Sequence, residues 1–547
     1  MNRYTKLRSL IAIALISTFA MTAVGCGGTS KSGGAANTAI SANKSSQNTS
    51  EYDSLFQKDK VIDIKIEIPE EDFKAMIDDP MAEEYKSAKV TVNGTTVENV
   101  GLRTKGNLTL RSVANTDSDR YSFRIKLNEY VKGQNLLGLD EFVVNNMYTD
   151  PSYMREYLSY EALREIGADV PETAFANIYI NGELYGFYLC VEAIDDSFLE
   201  RNFGNNDGSL YKQEKGSTLQ YTEDGNYDSY DLKEGDDDTK ADLKNFIKTL
   251  NEMTQGEKGN IEKVLDVDSA LRYIAANTVL GNYDSYSGNM AQNYFLYGQE
   301  GKFTVLPWDY NMSFGGFSGG GSATTIPIDE PVSGVKVKNL PLINNLLSVP
   351  EYKEKYHEYV KQLVSYLQNF EQRVNEVANI IRPYIEADPS KFYTMEQFEA
   401  NIKYSETNTG EVTTKNPSIN NIETKGNDKE NIEGLKTDGN TGASLMTNGE
   451  KGAAPQGGME GFQQGEKPMM PEGVNAGERP APPEGFQNGN MKGQDGRGNM
   501  KGGGGMTGGS IINYVKARLE NIKKQLSGEL PTTGNTTMTN DKMPGSK

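Results

Sequence analysis

LGNYDSYSGNMAQNYFLYGQEGKFTVLPWDYNMSFG, residues 280–315, decides how the rest of the chain is read. It holds two aspartates, Asp284 and Asp309, twenty-five positions apart. Between them NYFLY, a turn at Gly298–Gly301 and the apolar run FTVL predict a β-hairpin, two short strands joined by a glycine-bearing loop. Such a hairpin folds Asp309 back towards the loop that carries Asp284 and Asn289. Two carboxylates and the carboxamides of Asn289 and Asn293 then stand at its mouth, an oxygen-donor set suited to Mg²⁺ or Mn²⁺. Magnesium favours one or two carboxylates completed by phosphate and water. The same residues are also accounted for if Asp284 only caps a turn and Asp309 only ends a strand.

Upstream, DLKNFIKTLNEM and DSALRYIAANTVLGN read as helices, and the second delivers Asp284 at its end. Further back the period changes to two. VIDIKIEIP is a half-buried strand, PEEDFKAMIDD a short helix, and AKVTVNGTTVENVGLRTKGN two strands about Asn93-Gly94. The second of these runs into the basic turn Arg103–Asn107, which contains Lys105. YSFRIKLNEY adds a strand with Arg124 and Lys126. Basic side chains beside a glycine-bearing turn can hold phosphate, although a solvated strand face has the same composition. DPSYMREYLSYEALREIG predicts a helix over 150–167, with Asp150 as N-cap and Pro151 at its first position. Its buried stripe is Met154, Leu158, Ala162, Leu163 and Ile166. ANIYINGELYGFYLCVEAID is a second hairpin, whose apolar return strand should be covered on both faces and emerge at Glu192 and Asp195. DSFLERNFG is a helix, GSLYKQE a strand carrying Lys212, and Ser217–Lys240 an exposed acidic loop. After Asp309, GGFSGGGSATT reads as a mobile loop. Helices follow over 340–348, 350–372 and 373–386, and then MEQFEANIKYS.

The chain has 547 residues, a formal net charge of −20 and a pI near 4.8. Nucleic acid is excluded as a partner on that charge, and a basic protein would be attracted. With two cysteines and one histidine, a Cys/His zinc centre and a Cys–His pair lack their parts. A Ser–His–Asp triad would need His357, which reads as an exposed helix residue. Cys190 reads as a small buried hydrophobe. Chemistry must therefore rest on carboxylates, Lys, Arg and a hard cation. Residues 1–26 read as a targeting signal, basic and then apolar, ending at Gly25-Cys26. That end resembles a bacterial lipobox, with Ala23 where Leu is commonest. Cys26 is the expected lipidation site and membrane anchor, and 27–50 the tether. Over 406–509 the chain fills with Gly, Asn, Pro, Met and Gln, a composition that cannot offset ordering entropy, so disorder is expected. SIINYVKARLENIKKQL then returns as an amphipathic helix that should close the 51–405 domain over 510–527, before a disordered tail at 528–547.

In order and spacing, VGLRTKGN, YSFRIKLNEY, DPSYMREYLSYEALREIG, IYINGELYGFYLCVEAID, GSLYK, NYDSYSGNMAQNYFLY and GKFTVLPWDYNMSFGG resemble the spore coat protein H (CotH) family of atypical kinase-like proteins. The resemblance covers about 55–405 and the closing helix. It implies an α+β, kinase-like fold, with a mostly antiparallel β lobe at the N-terminus and a helical C-terminal lobe interrupted by the long insertion. It also implies binding of ATP with Mg²⁺ and phosphoryl transfer to hydroxyls of a spore-coat or envelope protein, basic or Ser/Thr-rich. Kinases order a glycine-bearing loop, a strand lysine, a helix glutamate, a hinge, a catalytic aspartate and a metal aspartate. That order gives Arg103–Asn107, then Lys126 (with Lys105 and Lys212 as alternatives), Glu156 or Glu161, the Val191–Ala193 hinge with Glu192, Asp284 and Asp309. Asp284 would orient or deprotonate the acceptor hydroxyl, and Asp309 would ligate the metal. Asn289 lies five residues after Asp284, the interval of the kinase catalytic loop, and Asn293 competes for that role. Phe303 would stack on adenine. The sequence departs from the kinase pattern in lacking G-x-G-x-x-G, H-R-D and D-F-G. A non-catalytic envelope scaffold and a carbohydrate or lipid phosphotransferase are the alternative readings.

Overall fold

Upstream of residue 192 the period-two patterns become strands wrapped around one apolar interior. In chain order the elements are β1 (Val61–Glu67), α1 (Glu70–Asp78), β2 (Lys86–Val92), β3 (Thr95–Lys105), α2 (Leu108–Ala114), β4 (Ser122–Lys126), β5 (Glu141–Asn145), α3 (Arg155–Glu165), β6 (Thr173–Ile180) and β7 (Glu183–Glu192). The computed structural model describes residues 50–236, 239–317, 323–406 and 509–534. The expected signal with Cys26, the tether, the tract between 406 and 509, the end of the tail and the centre of GGFSGGGSATT lie outside the described residues.

The seven strands close into a barrel, β1-β2-β3-β4-β5-β7-β6. The expected β lobe, mostly antiparallel, is present, and its closure into a barrel is what the sequence reading did not anticipate. Every pairing is antiparallel except β1 with β6, whose parallel register from Val61↔Phe175 to Ile66↔Ile180 joins the two edges. Closure removes the unpaired edges an open sheet would expose. Inward side chains such as Ile64, Ile66, Leu102, Phe123, Ile125, Val144 and Cys190 fill the barrel. Alternate residues of β5 and β7 (Val143, Phe187, Leu189, Val191) point outward into a second core, so β7 is covered on both faces.

That second core is shared with α3, which starts later than its sequence suggests. Asp150 accepts hydrogen bonds from the amides of Ser152 (2.9 Å) and Arg155 (2.8 Å), while Tyr153 takes φ +59°. A left-handed residue cannot continue a helix, so the turn at 150–154 precedes it. Buried residues line α3 all round, from Arg155 to Leu163, rather than along a stripe. It lies between two layers.

The remaining elements are α4 (Asp196–Phe203), β8 (Ser209–Gln213), β9 (Tyr230–Glu234), α5 (Ala241–Asn251), α6 (Val267–Leu280), β10 (Tyr294–Gln299), β11 (Lys302–Pro307), α7 (Pro341–Leu346), α8 (Pro350–Tyr366), α9 (Phe370–Ala387), α10 (Met395–Ile402) and α11 (Ile511–Leu526). The strands form one sheet, β11-β10-β8-β9. β9 lies inside the stretch read as an exposed loop, because Tyr230 buries its ring against the core and pairs with Gln213. His357 is likewise not free on its helix: its Nε2 lies 2.6 Å from Asp329 Oδ1. α11 is seated by Arg518, fully buried, which donates to the carbonyls of Thr278 (2.9 Å) and Ile326 (2.7 Å). Arg120, just before β4, and Asp388, just after α9, form a fully buried 2.7 Å ion pair between barrel and helices. The whole is mixed α+β. Among the described residues no helix is long and apolar enough to cross a membrane.

Candidate functional site

The β10–β11 hairpin forms as its sequence predicts, with Tyr294 opposite Pro307. Asn293 and Trp308, one residue beyond each strand, therefore stand at the same end, with Asp309 next. Asp309 has φ +57° and Asn293 φ +59°. Non-glycine residues held in this region store backbone strain, and such strain concentrates at functional sites. The Asp309 amide donates to Tyr160 Oη on α3 (3.2 Å), which ties the residue to that helix. Asp284 follows the left-handed C-cap Gly281 of α6. Its carboxylate accepts from Gln292 Nε2 (2.9 Å) and Asn293 Nδ2 (3.2 Å), and its carbonyl accepts from Asn293 Nδ2 (2.7 Å).

Across from this pair stands Lys105, the last residue of β3. Its ammonium donates to Asn145 Oδ1 (3.0 Å), and Asn145 Nδ2 donates to Glu156 Oε2 (2.9 Å) on α3. Lys105, Asn145, Glu156, Asp284, Asn293 and Asp309 all line one cleft of about 810 Å³, as do Arg103, Arg124, Lys212 and Trp308. Burial lowers the Lys105 pKa, while Asp309 and Glu156 work to raise it. Burial and then Asp309 push Glu156 up to about 8 and Asp284 up to about 7. Asp309 is raised by burial too, against the pull of Lys105 and Lys212. Buried carboxyls that repel one another are the setting that a cation relieves. Among the described residues no three Asp, Glu, His or Cys side chains make a complete metal cage. The Asp309 carboxylate and the Asn293 carboxamide fit Mg²⁺ all the same, because it keeps water and phosphate as ligands.

The family model for CotH kinase protein matches residues 102–412. This chain belongs to the CotH kinase protein family. Among curated relatives of this CotH-family chain, the inner spore coat protein H of Bacillus subtilis is 26% identical over 276 residues, 48% of this chain and 73% of that protein. Invasin CotH2 of Rhizopus delemar is 24% identical over 277 residues, 46% of each chain, so the match spans less than half of that relative. A chain of the Shewanella oneidensis HipA–HipB–operator DNA complex aligns with a TM-score of 0.24 and 13% identity, over 47% of this chain and 52% of that one. That likeness is too slight to carry an argument.

Several residues expected at the CotH-family site lie elsewhere. Lys126 pairs with Gly101 in the β3–β4 ladder and reaches Glu129 (3.3 Å). Lys105 lies four positions further along β3 from that rung, roughly 13 Å at strand rise. Glu192 is fully buried against Arg201 (2.5 Å) and the Tyr52 hydroxyl (2.6 Å), outside the cleft lining. Phe303 is fully buried and stacks on Phe246 at 5.2 Å, beneath the sheet rather than in the cleft. Trp308 and Phe295, ring to edge at 5.7 Å, line the cleft beside the hairpin, with Tyr148, Tyr153 and Phe317 elsewhere on its wall. Asn289 is exposed and packs beside Gly334, outside the cleft lining. Arg103 does line it, with its guanidinium committed to Glu83 and the Thr104 carbonyl. Of the two helix glutamates, Glu161 turns away to Arg373. Asn145 and Tyr160 escaped the sequence reading, Asn145 because it stands outside the quoted motifs and Tyr160 because nothing in its helix marks which side chain reaches Asp309.

Proposed function

We propose that this CotH-family protein is an ATP- and Mg²⁺-dependent protein kinase that phosphorylates Ser or Thr hydroxyls of an envelope or spore-associated protein. The observation that carries the reading is the convergence of Lys105, Asp309, Asn293 and Asp284 in one cleft between the barrel and the helices. The names of the Bacillus and Rhizopus relatives, spore coat protein and invasin, favour a surface or spore setting for the acceptor.

In this reading Asp309 and Asn293 would hold Mg²⁺, which would supply charge neutralisation at the phosphates. Lys105 contacts phosphate oxygens and Lys212 stands by as a second cation. Asp284, oriented by Gln292 and Asn293, takes the proton of the acceptor hydroxyl. The hydroxyl oxygen then bonds to the γ-phosphorus as the bond to the β–γ bridging oxygen breaks, and that oxygen leaves with its electron pair on ADP. A carboxylate within hydrogen-bond reach of the proton it abstracts suits this step. Trp308 and Phe295 offer the apolar wall for the base.

The test is thermal unfolding with ATP, with and without Mg²⁺ or Mn²⁺, since a ligand of the native state raises Tm. Asp309→Asn should abolish the metal-dependent rise. Asp284→Asn should keep most of the rise and lower transfer by roughly 10²–10⁴-fold, the usual worth of a general base. No shift with any metal would overturn the kinase reading in favour of a scaffold on this fold.

A further inference from the structure

Protein kinases join the strand lysine to the helix glutamate directly. In this cleft a carboxamide stands between them, and its orientation is fixed by chemistry. An ammonium only donates, so the oxygen of Asn145 must face Lys105, leaving the amide nitrogen to donate to Glu156. Asn145 is the last residue of β5, on the outward face it shares with Val143, which packs into the core around α3. Among the described residues Asn145 is the hydrogen-bond partner of Lys105 Nζ, and no carboxylate lies within 4.0 Å of that nitrogen. An ammonium has three donors. Two remain for the cleft, on a charge that no carboxylate contacts.

Resting on the kinase reading above, we propose that Asn145 is a positioning residue. It relays the placement of α3 to Lys105 and aims the ammonium at the nucleotide phosphates without quenching its charge. A direct ion pair would fix the lysine equally well but would compete with phosphate for it. The amide accepts one hydrogen bond and leaves the charge to the ligand. The position of Glu156 still sets where the amide points, so the helix governs the lysine through a neutral intermediary.

The experiment is a double-mutant cycle read by MgATP affinity on the full chain, in wild type, Asn145→Leu, Lys105→Met and the double variant. Asn145→Leu should weaken MgATP by about tenfold or more, as expected when a charge-assisted hydrogen bond is lost. Its Tm without nucleotide should stay within a few degrees of wild type. In the Lys105→Met background the same change should cost nothing further, because its only route to the ligand is gone. An Asn145→Leu chain with wild-type affinity overturns the proposal. So does a loss that persists undiminished without Lys105, which is the mark of a merely structural role. Should leucine unfold the chain, Asn145→Ser, too short to span from strand to helix, must show the same pattern. A wild-type chain that binds no MgATP defeats the kinase reading itself, and that is seen before any variant is compared.

Discussion

Single residues were legible where chemistry alone marks them and illegible where register decides. Asp284 and Asp309 stand out because one histidine and two cysteines leave the chemistry to carboxylates and cations, and these two carboxylates flank the predicted hairpin. Lys105 and Lys126 have the same alternating setting, and only the β3–β4 register separates them, Lys126 falling opposite Gly101 and Lys105 opposite Ser122. Phe303 and Trp308 are both aromatics on the hairpin, yet the first packs under the sheet against Phe246 and the second edges the cleft. A further residue-scale effect concerns Asp140. Burial, and then Asp196, Glu200 and Glu141, push its carboxyl up to about 6. The folded state thus holds a proton that the unfolded chain releases above pH 3.8. This group penalises the fold progressively as pH rises from about 4 to 6, and the penalty is constant above that. Asp140→Asn removes it. The variant should melt above wild type at pH 8, and the gain should shrink as pH falls towards 4.5. Melting curves across that range check the sign, and a gain that grew on acidification would refute it.

At the scale of elements, α3 organises the site. Tyr160 on this helix bonds the Asp309 amide, Glu156 reaches Asn145, and Arg155 donates to the carbonyls of Ser313 (2.8 Å) and Phe314 (3.0 Å) just beyond Asp309. Its outer end is held by Arg373 from α9, which bonds both Glu161 and Asp59. Arg373→Met would leave the nearly buried Glu161 with Lys58 (3.3 Å) as its remaining ion-pair partner. A loss of about 1–3 kcal/mol in urea unfolding is expected, the usual cost of stranding a buried polar group. MgATP affinity should fall with it, because the helix that shifts carries Glu156. Unchanged binding beside the stability loss would separate the two ends of α3. The sequence showed this helix but not its setting. Its polar residues Arg155, Glu156 and Glu161 fall outside the buried stripe its pattern predicts, and only tertiary partners make them interior.

At the scale of the whole molecule, the barrel closure is what the sequence hides, since it rests on one parallel pairing between strands far apart in sequence, and no local pattern announces it. The return of the chain at α11 was legible, because its amphipathic pattern predicts a helix that closes the domain, and it packs into the core as that pattern requires. Only the side-chain partners that seat it could not be read across the hundred or so residues before it. In the structure the two ends of that excursion meet. Asn513 accepts from the Ser405 amide (3.0 Å) and donates to the Ser405 carbonyl (2.9 Å), and Ser510 Oγ donates to the Lys403 carbonyl (2.6 Å). Replacing residues 407–508 by a short Gly/Ser linker should therefore leave Tm within a few degrees and preserve any MgATP response. Ending the chain at residue 406 should behave differently. It removes Ile511, Ile512, Val515, Leu519 and Ile522 from the core, together with Arg518 and its carbonyl acceptors. Five such side chains contribute about 1.5–3 kcal/mol each, a sum comparable to the roughly 5–15 kcal/mol that separates a folded domain from its unfolded chain. The truncated chain should show no cooperative melt by calorimetry. A cooperative transition near the wild-type Tm would mean that α11 only decorates the helical part, and the core would then have to be complete by α10.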